Sequence, residues 1–115
     1  MTSTPWSAGP IPVVHSVVDG KALGNILCDR YTFDTPFDCQ LLVRGVNDVY
    51  LIRAGQTRFV ARVWRSGLRS NGEVDFETSY LVHLHQSGLN VSHPLPDRDG
   101  GTFFVVDAPE GPRQV

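Results

Sequence analysis

The feature that most constrains the fold is a run of three apolar segments between residues 39 and 65, in which side-chain character alternates with a period of two. The segments read CQLLVRG, VYLIRA and RFVARVWR, and they are rich in β-branched and aromatic residues. Short links at 45–48 and 55–57, which contain Gly, Asn or Asp, join them. Because links this short connect antiparallel strands, the sequence predicts a three-stranded antiparallel meander.

Helical patterns lie on both sides of this meander. Apolar residues at helical spacing predict a short amphipathic helix over 20–31. Ser70 is followed three residues later by Glu73, which is the spacing of a capping box, and Gly88 suits the C′ position. The sequence therefore predicts a longer helix over 71–87.

Further strand candidates follow the second helix. A turn at 99–101 precedes a predicted strand over 102–108, and 113–115 read as the first residues of another strand. The segment 11–18 suits a short strand or an extended arm. Together the patterns predict an α+β fold, with an antiparallel sheet of four to five strands, a long helix packed on it and a short N-terminal helix.

Composition excludes several classes of function. The chain has 115 residues, enough for one small domain, and its net charge of -2 provides no basic field for nucleic acid or an anionic membrane. No apolar run is long enough to span a membrane, and the start MTSTPWSAGP lacks the features of a signal peptide, so we expect a cytoplasmic protein. Cys28 and Cys39 are expected to be free, buried thiols.

Two charged residues occupy positions where the pattern is apolar. Arg62 lies in the middle of the third strand candidate, and Glu77 lies near the centre of the apolar stripe of the long helix. Each charge would be costly to bury alone, so each offers the other a partner across the core. The alternative is that Arg62 faces solvent and Glu77 lies at the edge of the stripe. The pattern alone leaves both interpretations open.

Three separated stretches carry a resemblance to a known family. In order, they are RGVNDVYLIRAGQTRFVARVWR, EVDFETSYLVHLHQSGLNVSHPL and DAPEGPR. They resemble the N-terminal lobe of the family of aminoglycoside phosphotransferases and choline kinase, which has a protein-kinase-like fold. The match runs from about His15 to the end of the chain. It implies a nucleotide-binding lobe over 13–115, which stops before the hinge and the C-terminal lobe. The prolines, glycine and small polar residues of 1–12 predict a flexible tail before it.

The resemblance implies an ATP-dependent phosphotransferase that acts on the hydroxyl group of a small molecule, whose identity stays open. It places the Mg²⁺ ligands and the catalytic residues in a C-terminal lobe, so we expect this chain alone to be inactive. With its last strand incomplete, the isolated chain is expected to fold poorly or to self-associate. The alternative is a stand-alone, non-catalytic binding domain derived from such a lobe.

The resemblance also implies roles for particular residues. Arg62 stands where the family has a basic residue, usually lysine, that contacts the α- and β-phosphates, and Glu77 stands at the position of its acidic partner. Gly45 and Asn47 fall in the hairpin that covers the phosphates, and Val60 would lie against the adenine. A plain turn at Gly45 and a simple core role for Val60 remain open. The spacing of the histidines and carboxylates predicts no metal site.

Overall fold

The structure is a computed structural model that describes residues 8–115. The predicted tail over 1–12 lies in part outside the described residues, and 8–12 contain neither helix nor strand. The elements are α1 (Gly20–Arg30), β1 (Phe37–Val43), β2 (Asn47–Ala54), β3 (Thr57–Trp64), α2 (Asn71–Gln86), β4 (Val105–Ala108) and β5 (Gly111–Gln114). The α+β class predicted from the sequence is confirmed. The segment 11–18 forms an extended arm with no regular secondary structure.

The meander predicted from the period of two is confirmed, with β2 in the centre and antiparallel to both neighbours. Tyr50 lies opposite Ala61 and Ile52 lies opposite Phe59. Tyr50, Ile52 and Ala61 point to one face of the sheet, where they are buried, because side chains alternate between the two faces.

Helix α1 packs against this buried face through Leu23 and Leu27. Burying a leucine side chain contributes about 1.5–3 kcal/mol to folding. The helix approaches β1 closely at Gly24, where an added Cβ would lie 3.1 Å from Phe37 Cε1 and 3.2 Å from Cys39 Cβ. A larger residue at this position would separate α1 from β1.

Side chains cap both ends of α1. The carboxylate of Asp19 accepts a hydrogen bond from the N–H of Ala22 at 2.9 Å. At the other end, the guanidinium of Arg98 donates to the carbonyl oxygens of Cys28, Asp29 and Tyr31. This helix terminus would otherwise leave carbonyl groups without partners. Arg98 therefore attaches the loop that carries it to the end of α1.

Helix α2 begins with the predicted capping box. The Ser70 hydroxyl accepts from the N–H of Glu73, and the Glu73 carboxylate accepts from the N–H of Ser70. Val74 is the buried residue of α2, whereas Phe76 and Tyr80 are exposed and stack on each other. The apolar stripe of α2 is therefore only partly used for packing in this structure.

The predicted single sheet is divided into a three-stranded sheet and a two-stranded sheet formed by β4 and β5. Strand β5 contacts β3 without forming a ladder with it. Pro112 has no N–H to donate to such a ladder. The side chain of Arg113 instead donates to the main-chain oxygens of Trp64 at 2.8 Å and Val63 at 3.4 Å. The strand predicted over 102–108 is also shorter, because it begins at Val105.

The two cysteines are free thiols, but the expectation that both are buried is wrong. Cys39 is half-buried, whereas Cys28 is exposed on α1. Neither helix in the described part of the chain is long and apolar enough to cross a membrane.

Candidate functional site

A cavity of about 570 Å³ lies between β3, α2 and the segment 92–104. This volume is in the range of small-molecule sites, which is about 300–1,000 Å³. Val60 and Arg62 line it from the strand, and Glu77 and Thr78 line it from the helix. We take this cavity as the candidate site.

The alternation of side chains along β3 places Val60 and Arg62 on the face of the sheet opposite the core, while Phe59 and Ala61, on the core face, also line the cavity. Ala61 and Val63 are buried in the core, so Val60 and Arg62 point to the opposite face of the sheet. Val60 is 56% exposed, and it therefore does not belong to the buried core. The pattern RFVARVWR thus presents an apolar side chain and a guanidinium side by side on one open face.

The structure brings Arg62 and Glu77 to the same cavity but does not pair them. The carboxylate of Glu77 accepts a hydrogen bond from the guanidinium of Arg69. Within residues 8–115, Arg62 takes part in no ion pair. The physical reason is that Arg69 is already fixed near the helix, because its guanidinium lies 5.0 Å from the Trp64 ring centre and 3.4 Å from the carbonyl oxygen of Glu73.

Arg69 is the residue of this site that the sequence analysis missed. It directly precedes Ser70, the N-cap of α2. Helical side chains lean toward the N-terminus of their helix, so Glu77 reaches back toward the residue before the cap. A basic residue just before the N-cap, with a carboxylate two turns into the helix, is the signal that could have identified this contact.

The hairpin between β1 and β2 lies apart from the cavity. Gly45 is in the turn, and Asn47 is the first residue of β2, opposite Trp64 on β3. Neither is among the described residues that line the cavity. A Cβ at Gly45 would meet its nearest neighbour, the carbonyl oxygen of Asn47, at 3.5 Å, so there is room for a side chain there.

The wall that β3 contributes to the cavity is positively charged. Arg58 and Arg62 both line the cavity, and neither side chain forms an ion pair or hydrogen bond within residues 8–115. The one carboxylate on the helix wall, that of Glu77, is already bonded to Arg69. Unpaired guanidinium groups with planar sets of donors suit an anion such as phosphate. Among the described residues, no group of three or more His, Cys, Asp and Glu side chains could hold a metal ion.

A second polar cluster lies outside the cavity and joins the extended arm to β5. The main-chain N–H and the hydroxyl of Ser16 both donate to the carboxylate of Glu110 at 2.7 Å. Arg113 donates to the carbonyl oxygen of Ser16 at 2.8 Å and to Asp48 at 3.2 Å. Burial raises the pKa of Glu110, but its hydrogen bonds, chiefly those from Ser16, outweigh this effect and lower the pKa overall. This cluster attaches the arm and β5 to the meander.

Two relatives align with most of this chain. A protein of Deinococcus radiodurans named as uncharacterized is 42% identical over 108 residues, which are 94% of this chain and 31% of that protein. An uncharacterized protein of Synechocystis is 33% identical over 102 residues, which are 89% of this chain and 28% of that protein. The chain therefore spans less than a third of the length of these relatives. No protein-family model matches the chain.

The fold is similar to part of a solved structure titled the structure of the microcompartment-associated aminopropanol kinase. It superimposes with a TM-score of 0.64 and 26% sequence identity, over 84% of this chain and 30% of that kinase. The α+β fold of this chain is thus similar to the N-terminal region of a small-molecule kinase.

Proposed function

We propose that this chain is the nucleotide-binding lobe of an ATP-dependent phosphotransferase that acts on the hydroxyl group of a small molecule. The observation that carries the proposal is the similarity of 84% of the chain to part of a small-molecule kinase, at a TM-score of 0.64. The exposed face of β3, with Arg62 and Val60 beside a cavity of about 570 Å³, supports it. The activity, substrates and partners of the whole protein are part of this proposal.

Within this proposal, Arg62 binds the α- and β-phosphates of ATP, and Glu77 is its carboxylate partner. The planar guanidinium has five N–H donors, enough to contact a phosphate and a carboxylate together. Val60 offers an exposed apolar surface to the adenine ring. Gly45, in the β1–β2 turn, and Asn47, the first residue of β2, do not line the cavity, so the hairpin would have to close over it to cover the phosphates.

The residues of the cavity fit a phosphate group, because Arg62 presents a guanidinium group that has no carboxylate partner within residues 8–115. The Mg²⁺ that accompanies ATP would be held by carboxylates from other parts of the whole protein. When bound, it would neutralise phosphate charge during phosphoryl transfer. The chemistry that this lobe supplies is therefore the binding and orientation of the nucleotide.

The acceptor is the least specified part of the proposal. The structural relative is titled an aminopropanol kinase, so a small amino alcohol is the first acceptor to test. Specificity for the acceptor would depend on residues outside 8–115, because the nucleotide would occupy this cavity.

The test is binding of Mg-ATP to the whole natural protein, measured by isothermal titration calorimetry. We expect Arg62→Gln to weaken binding roughly tenfold or more, because it removes a charge-assisted hydrogen bond to phosphate. Arg65→Gln, which changes an exposed arginine outside the cavity lining, is the matched control and should bind as the wild type does.

Two results would contradict the proposal: a wild-type protein that does not bind Mg-ATP, or an Arg62→Gln variant that binds it unchanged. Binding without phosphoryl transfer to any small alcohol would favour the non-catalytic binding domain instead.

A further inference from the structure

The carboxylate of Glu77 has one arginine as its partner and a second arginine across the cavity between β3 and α2. Glu77 and Arg62 both line the cavity, and Arg69 holds Glu77 from the loop before the helix. Arg62 has no ion-pair partner within residues 8–115. A single carboxylate that is bonded to one arginine and shares a cavity with a second, unpaired one creates the conditions for an exchange of partners.

Arg69 is the more firmly held member of the resting pair. Its guanidinium packs over the ring of Trp64 and donates to the carbonyl oxygen of Glu73 as well as to Glu77. Its own carbonyl oxygen accepts a hydrogen bond at 3.0 Å from Gln114, a buried residue of β5. Glu77 has no such support, since Arg69 is its one partner within the described chain, and its side chain is 43% exposed.

The attachment of α2 also favours movement of Glu77 rather than Arg69. The start of the helix is fixed by the capping box and by the hydrogen bond from Gln114 to Asn71 at 2.8 Å. Beyond Val74, the cavity separates the helix from β3, and the hydroxyls of Thr78 and Thr102 form a hydrogen bond of 2.7 Å. Because the hydrogen bond from Thr78 to Thr102 holds the helix at the residue next to Glu77, the Glu77 carboxylate would move by a change of its own rotamer.

We propose that Arg69 and Arg62 compete for Glu77, and that the Arg69–Glu77 pair is a resting state that phosphate bound at Arg62 displaces. The second half of this statement rests on the proposed function. Arg69 is in this sense a positioning residue, because it acts on the site only through Glu77. A carboxylate that holds one edge of the Arg62 guanidinium fixes its orientation and leaves the other donors for phosphate. Phosphate therefore binds the Arg62–Glu77 arrangement more tightly than the resting one and shifts the balance toward it.

The first test needs no nucleotide and uses amide hydrogen exchange of α2 in the whole natural protein, read by mass spectrometry. In the wild-type background, Arg62→Gln should leave exchange of α2 unchanged, because Glu77 is bonded elsewhere. In the Arg69→Gln background, we expect Glu77 to pair with Arg62 instead. Adding Arg62→Gln to that variant should then speed the hydrogen exchange of α2 about threefold, which is the effect expected from the loss of a half-exposed ion pair. Arg65→Gln should have no effect in either background.

The result that overturns the competition is an Arg62→Gln effect that is the same in both backgrounds, whether absent or present. A purely structural role of Arg69 would change the overall exchange rate but would not make the effect of Arg62→Gln depend on Arg69.

The second test measures binding of the nonhydrolysable analogue Mg-AMP-PNP by calorimetry. Arg69→Gln should bind it about threefold to tenfold more tightly than the wild type, because the competing pair no longer has to open. Equal or weaker binding would overturn the proposed displacement. If the wild type binds no nucleotide, the proposed function fails together with the displacement, whereas the exchange experiment still decides whether the two arginines compete.

Discussion

The guanidinium of Arg113 donates to the carboxylate of Asp48 at 3.2 Å, and both side chains are fully buried. The same guanidinium donates to the main-chain oxygens of Ser16 and Trp64 at 2.8 Å. One side chain of β5 therefore joins the extended arm, β2 and β3. It does so where the backbone of β5 forms no ladder with the meander, so this ion pair is the main polar connection between the two sheets.

Breaking this pair from either side should destabilise the protein strongly. Asp48→Asn and Arg113→Met should each lower the free energy of unfolding by about 3–5 kcal/mol, because each leaves an unpaired charge or polar group buried. The measurement is urea unfolding followed by tryptophan fluorescence. Asp38→Asn is the control, since Asp38 and Arg53 form an exposed pair that should contribute less than about 1 kcal/mol. Equal losses at Asp48 and Asp38 would contradict this prediction.

The cap that Arg98 provides for α1 should also be measurable. Arg98 donates to three main-chain oxygens at the end of the helix, at 2.8 Å to Tyr31 and 3.2 Å to Cys28 and Asp29. We expect Arg98→Ala to lower the free energy of unfolding by about 1–2 kcal/mol, because the carbonyl groups are left to solvent. Urea unfolding would measure it. Arg44→Ala, in the exposed β1–β2 turn, should have no comparable effect, and a similar loss there would argue against a specific cap.

The two thiols should differ in reactivity toward iodoacetamide. Burial, with Asp38 nearby, raises the pKa of Cys39 to about 11, so Cys39 is almost entirely a neutral thiol at pH 8. We expect Cys28, which is exposed, to be alkylated first. Peptide mass spectrometry of a short reaction series checks the order, and Cys28→Ser should leave only slow labelling. Faster modification of Cys39 than of Cys28 would contradict the burial argument.

The raised pKa of Cys39 also fixes the sign of its effect on stability with pH. Between the ordinary thiol pKa of about 8.5 and the folded value of about 11, the folded protein binds the proton more tightly than the unfolded chain does. The contribution of Cys39 to the free energy of unfolding is therefore complete at pH values below this window. It is lost as the pH rises through the window. In urea unfolding measured at several pH values, Cys39→Ala should remove the fall in the free energy of unfolding that the wild type shows across this window.

The extended arm should be released in acid. The pKa of Glu110 is lower in the folded protein than in the unfolded chain. Its contribution to stability is therefore present above the ordinary pKa of about 4.3 and is lost as the pH falls through the folded pKa. We expect residues 13–18 to gain hydrogen exchange only as the pH falls below that ordinary value. Glu110→Gln should weaken the attachment at every pH and remove this acid step, whereas Asp107→Asn, at an exposed carboxylate of β4, should keep it. An acid step that persists in Glu110→Gln would contradict the assignment.

Local patterns in the sequence determined most of the secondary structure. The period of two in RFVARVWR, the spacing of Ser70 and Glu73, and the glycine at 88 are signals that depend on neighbours in the chain. They predicted the meander, the capping box and the end of α2, and the structure confirms each of them. Such features depend on backbone geometry within a few residues, which a sequence displays directly.

The choice of partners for charged side chains was decided only by the tertiary structure. The sequence showed that Arg62 and Glu77 were unusual at apolar positions, but Glu77 pairs with Arg69, and the fully buried pair is Arg113 with Asp48. An ion pair depends on where two side-chain ends, each several bonds from the backbone, meet after the elements have packed. Periodicity gives the face on which a residue lies, but it does not give the distance to a partner on another element, and that distance decides which charges meet.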